Sequence, residues 1–142
     1  MSQIGVVVGG HCELSRALIA SAEMIAGAQQ DVATVCLSEG DNLESCRAAI
    51  LAAIAQVDHG KGAIILIDLF GGTPSNAAAL SLKDHEWPVV AGVNLPMLIE
   101  VLMNRDSVSS VEALSALAVE AGCSGIIDVA ARMQIRRTKP DA

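Results

Sequence analysis

The chain has 142 residues, a formal net charge of -7 and 52% hydrophobic residues, with one Phe, one Trp and no Tyr. That hydrophobic content excludes a disordered chain, and the length suits one domain with a core of aliphatic side chains. The scarcity of aromatics, with Arg136, Arg137 and Lys139 as the only basic cluster, argues against a base-stacking or duplex-binding module and suits basic protein partners instead.

Ile4 to Val8 is a Val-rich run ending in Gly9-Gly10, which predicts a buried strand. Leu14, Ala17, Leu18, Ala22 and Ile25 follow at helical spacing and stop at Gly27. Val32 to Leu37 predicts a second strand. Asp41 with Glu44 resembles a capping box opening a helix through Leu43, Cys46, Ile50, Ala53, Ile54 and Val57, which Gly60 closes. Ala63 to Ile67 predicts a wholly apolar third strand, ended by Asp68. Leu69-Phe70-Gly71-Gly72 is a turn, with Thr73 as N-cap and Pro74 as first residue of an Ala-rich helix to about Leu82. Val89 to Val93 is a fourth strand, and Asn94 caps a helix carrying Leu98, Val101 and Leu102. Ser107 to Ser110 opens another with Val111, Leu114, Leu117 and Ala121 inward, ended by Gly122. Gly125 to Val129 is a last short strand candidate, neither assumed parallel nor central, and residues 136–142 read as a loose tail.

Strands that are apolar along their length and alternate with helices predict one doubly wound α/β domain over residues 1–142, a mostly parallel sheet with helices on both faces. The four cysteines, at 12, 36, 46 and 123, form no CxxC pair and no zinc-finger spacing, so Cys36 and Cys46 read as small buried hydrophobes in a reducing cytoplasm. No signal peptide is expected, and the apolar runs are too short to span a bilayer.

Ligands of open α/β sheets sit beyond the carboxyl ends of the strands. There the chain offers Gly10-His11 after the first strand, Asp68 after the third and Asn94 after the fourth. An Asp that accepts from one imidazole nitrogen leaves the other as a nucleophile, so Asp68 is a candidate orienter of His11. Amides of Gly71, Gly72 and Thr73 at a helix start are a candidate anion cradle, although for that stretch alone a structural turn with a cap is the favoured reading. Gly10 and Asn94 are supporting candidates, and for Asn94 the role of N-cap is sufficient. His59 and His85 read as surface residues. Cys12 makes a weak partner for His11, since adjacent residues at a helix start do not face each other. No nucleotide loop, metal motif or other catalytic signature appears, and neither a metal nor a cofactor is expected.

Gly10-His11, the run Asp68 to Ala78 containing Phe70-Gly71-Gly72-Thr73-Pro74, and Gly92-Val93-Asn94-Leu95-Pro96-Met97-Leu98 together carry a resemblance. The chain resembles, over roughly residues 3 to 130, the enzyme IIA domain of the mannose family of the bacterial phosphoenolpyruvate-dependent sugar phosphotransferase system. The resemblance implies a phosphohistidine carrier. His11 would accept phosphate from HPr and pass it to enzyme IIB for sugar phosphorylation, with the family aspartate at Asp68 and the phosphate-loop hydroxyl at Thr73. It implies a homodimer that exchanges an antiparallel edge strand, mapping to about Gly125 to Val129, and a membrane reached only through transporter partners. The family commonly has a hydroxyl residue before the histidine and a glycine after it, where this chain has Gly10 and Cys12. Two alternatives remain beside the transport role: a regulatory phosphoprotein that signals nutrient status, and, ranked low, the phosphocarrier subunit of dihydroxyacetone kinases.

Overall fold

In a computed structural model, residues 3–81 and 87–136 are described. The expectations for His85, for a helix end near Leu82 and for a loose tail beyond Arg136 fall outside them.

Among the described residues the elements are, in order, β1 (Gly5–His11), α1 (Leu14–Ala26), β2 (Val32–Leu37), α2 (Leu43–Val57), β3 (Ala63–Ile67), α3 (Thr73–Ser81), β4 (Val89–Ala91), α4 (Leu95–Asn104), α5 (Val111–Ser124) and α6 (Val129–Arg132). The four strands form one all-parallel sheet in the order β2-β1-β3-β4. Strand alternation sends Val6, Val8, Ile64 and Leu66 to one face, under α1, α4 and α5. Val7, Ile65 and Ile67 go to the other, under α2 and α3. The central strands are therefore apolar on both sides, as a doubly covered sheet requires.

The connections leave the sheet in opposite directions. From β1 the chain passes to β2 at one edge, and from β3 it passes to β4 at the other, so the winding reverses between the carboxyl ends of β1 and β3. That switch point is the crevice where open α/β sheets bind ligands.

Several local expectations change. The first strand runs on to His11, because its neighbour β2 continues the ladder to Leu37. In α1 the inward residues are Ser15, Leu18, Ile19 and Ala22, and Leu14 and Ile25 are exposed. The capping box of α2 is Asn42 with Ser45, one residue later than expected, while Asp41 accepts from the Ser38 amide. α3 begins at Thr73, whose preceding residue Gly72 accepts the first helical bond from Asn76, so Thr73 is the first helical residue rather than the cap. Gly122 does not end α5. It lies within the helix, packed where a Cβ would sit 2.7 Å from Cε of Met97. The expected strand at Gly125 to Val129 is not one: Gly125 is helical in conformation, and Asp128 caps α6 through the Ala131 amide. The Gly125 and Ile126 amides donate to the Ala121 and Cys123 carbonyls, and no antiparallel strand occurs among the described residues.

Candidate functional site

His11 and Asp68 meet at the switch point. His11 is the last residue of β1, and Asp68 follows the last residue of β3. Register pairs Gly9 with Ile67, and the Asp68 amide donates to the Gly9 carbonyl at 3.1 Å, which seats the carboxylate beside the end of β1. Asp68 Oδ2 accepts from the His11 backbone amide at 2.9 Å and lies 2.9 Å from His11 Nδ1. One carboxylate oxygen thus fixes both the backbone and the ring of the histidine.

Gly10 makes this approach feasible. A Cβ there would stand 3.1 Å from Asp68 Oδ2 and 3.2 Å from its Cγ, tighter than ordinary contact. A side chain before the histidine requires the carboxylate to give by a few tenths of an ångström. The residue after it, Cys12, has φ of 55°, in the left-handed region that suits glycine. Its amide is held by the Leu37 carbonyl at 2.8 Å, so the β2 ladder enforces the turn on a side chain that resists it.

The electrostatics favour an ionised Asp68. Burial pushes its carboxyl up, but the His11 amide and the His11 ring outweigh burial, and the net is below the ordinary carboxylate value. An ionised carboxylate only accepts, so Nδ1 must carry the shared proton, and in the neutral ring Nε2 keeps its lone pair. The His11 side chain is 49% exposed and that of Asp68 only 11%, so the base of the pair is sheltered and its tip open. The second carboxylate oxygen, Oδ1, is buried without a partner among the described residues.

Other expected residues divide. Gly10 is part of the pair's packing. Gly71, Gly72 and Thr73 lie farther along the loop that starts at Asp68, with Gly71 at φ of 90° and Thr73 opening α3, but no hydrogen bond joins them to His11 or Asp68 among the described residues. Asn94 is elsewhere engaged: its Oδ1 caps α4 through the Met97 amide at 3.0 Å, and its Nδ2 donates to the Gly122 carbonyl at 3.0 Å. His59 pairs with Asp31 at 3.0 Å, away from the His11 pair.

The sequence reading missed the far wall of the site. A cavity of about 480 Å³ beside His11 is lined by Cys12, Glu13, Leu37, Ser38 and Glu39. Ser38 and Glu39 follow β2, and they reach His11 because β2 lies next to β1. The only signal in the sequence was their place after a strand.

The chain is similar to known proteins along most of its length. The model of the EIIA-man family, described as the PTS system fructose IIA component, matches residues 5–118. The mannose-specific EIIAB component of Escherichia coli K12 is 41% identical over 124 residues, 87% of this chain but 38% of that protein. The chain thus spans well under half the length of that relative. The fructose-specific EIIA component of Bacillus subtilis is 33% identical over 115 residues, covering 80% of this chain and 79% of the relative. Among solved structures, the phosphotransferase system component EIIA of Streptococcus agalactiae superimposes with a TM-score of 0.81 at 29% identity, covering 90% of this chain and 98% of that one.

Proposed function

The chain belongs to the EIIA-man family of phosphotransferase-system IIA components, and from that premise we propose that it is a phosphohistidine carrier, accepting a phosphoryl group on His11 Nε2 from HPr and passing it to an enzyme IIB. The observation that carries the reading is the 2.9 Å contact between His11 Nδ1 and Asp68 Oδ2. It leaves Nε2 as the free nucleophile at an open rim.

The step is an in-line displacement. Nε2 attacks the phosphorus of the donor's phosphohistidine, the new P–N bond forms as the donor's P–N bond breaks, and the donor imidazole leaves with the electron pair. Phosphorylated His11 retains the proton on Nδ1, and Asp68 balances the positive charge that the ring acquires. Transfer to enzyme IIB is the same displacement in reverse. Catalysis of this kind is positioning plus charge stabilisation. Asp68 supplies the first by orienting the ring. Amides of Gly71, Gly72 and Thr73, at the start of α3, supply the second by turning toward the phosphoryl oxygens. In this reading Gly10 leaves room for the carboxylate, and Asn94 supports the site only by holding α4 and α5 in place.

The reading sets the protein in the cytoplasm, with the membrane reached through transporter partners. The relatives carry sugar-component names, which supports transport over a purely regulatory role. We also propose a homodimer, supported by exposed Ile126, Ile127, Val129, Met133 and Ile135 in one short C-terminal stretch. In the proposed dimer, residues 125–129 give up their local turn and pair as a strand with a second copy.

Incubation with phosphoenolpyruvate, enzyme I and HPr is expected to give a single acid-labile phosphoryl group per chain, and His11→Ala is expected to take none. Normal labelling of His11→Ala overturns the assignment.

A further inference from the structure

Phe70 is the chain's only phenylalanine, and it is 84% exposed. Leu69 beside it is also exposed. Both follow directly on Asp68, so the α-carbon of Phe70 lies at most about 7 Å from that of Asp68. Of its two large rings, Trp87 packs partly buried against the core, while Phe70 stands in water at the rim of the His11 pair. Phe70 belongs to neither core cluster.

Resting on the phosphocarrier reading, we infer that Phe70, with Leu69, is the docking anchor for the phosphoryl-donating protein, seated in an apolar hollow beside that protein's own phosphorylated residue. Two observations commit the surface to this occupant. The first is geometric. A protein that delivers phosphorus to Nε2 must cover the rim around it. A standard interface of about 800 Å² per partner reaches about 16 Å from its centre, which takes in Phe70. Buried aromatics at the centre of such patches carry most of the binding energy.

The second is charge. On the other side of His11 the cavity is walled by Glu13 and Glu39. Glu13 is paired with Arg16 at 3.1 Å, while no ion pair involves Glu39 among the described residues. Such a wall repels a free phosphate and attracts a basic side chain. The partner is therefore a protein with an apolar hollow on one side of its reactive residue and positive charge on the other. Since the acceptor must reach the same Nε2, donor and acceptor use the anchor in turn and exclude each other.

The test compares two phosphodonors on the full chain. Phosphorylated HPr needs docking, whereas phosphoramidate, a small donor to histidine, does not. With Phe70→Ala, KM for phosphorylated HPr is expected to rise tenfold or more, phosphoramidate labelling of His11 to stay within twofold, and Phe70→Trp to restore most of the loss. Glu39→Lys is expected to raise the same KM and to weaken its dependence on salt. An unchanged KM in Phe70→Ala overturns the inference. So does an equal loss with both donors, which would make Phe70 a support of the Asp68 loop rather than an anchor. If the unaltered protein takes label from neither donor, the phosphohistidine reading itself fails, a result distinct from either of these.

Discussion

At the scale of single residues, the site depends on one oxygen atom. Asp68 Oδ2 receives both the amide and the ring of His11, so the tautomer and the position of the nucleophile are set together. Asp68→Asn keeps the shape but brings an NH₂ group that can donate to Nδ1 and drive the proton to Nε2. Phosphoryl transfer is then expected to slow on the order of 10²- to 10⁴-fold, as for other orienting aspartates, read by rapid quench with labelled HPr. Stability carries the same signature. The Asp68 carboxyl lies below its ordinary value of 3.8 in the folded chain. Its stabilisation is therefore complete above that value and is lost as pH falls through the lower folded one. Urea unfolding is expected to show the native protein losing stability below about pH 4 more steeply than Asp68→Asn; parallel curves would separate the carboxylate from folding. Gly10 and Cys12 show the same pressure from both sides of the histidine. The space at position 10 is filled by the carboxylate, and the turn at position 12 is set by the bond to Leu37.

At the scale of elements, side chains at helix ends set where the site stands. Asn94 caps α4 and binds the Gly122 carbonyl of α5, so one amide group locks two helices of the same face. Asn94→Ala loses the cap and strands a carbonyl, and a loss of about 1–3 kcal/mol is expected by urea denaturation. Arg105 plays a related part at the opposite end of the sheet. It is only 3% exposed, and its guanidinium donates to the carbonyls of Ile4, Gln30 and Asp31 and to Gln29 Oε1. That arrangement ties the end of α4 to the starts of β1 and β2, which are the strands that deliver His11 and its far wall. The periodicity of α4 gave no warning of it, because Arg105 lies just beyond the helix and its acceptors are distant in sequence.

At the scale of the whole molecule, the order β2-β1-β3-β4 decides that the ends of β1 and β3 meet where the winding reverses. The proposed homodimer belongs here too. Sedimentation at micromolar concentration is expected to give twice the chain mass, and Ile126→Glu with Ile127→Glu to shift it toward the monomer. A monomeric native protein would remove the exchange. Much of this molecule was legible in its residues. Apolar runs marked the four strands because a doubly covered strand presents mostly apolar side chains, and polar residues after those runs marked His11 and Asp68. What stayed hidden depended on neighbours. Residues 125–129 have a strand's composition, yet alone they lie as a turn and the start of α6, since a strand is defined by its pairing. Asn94 stood at a strand end like His11, and only its bonds to Met97 and Gly122 gave it to the scaffold. The sequence determined which groups were available for chemistry, because hydrophobic periodicity and turn residues are local. The tertiary structure alone decided which of them meet, because strand order and register are properties of distant segments packed together.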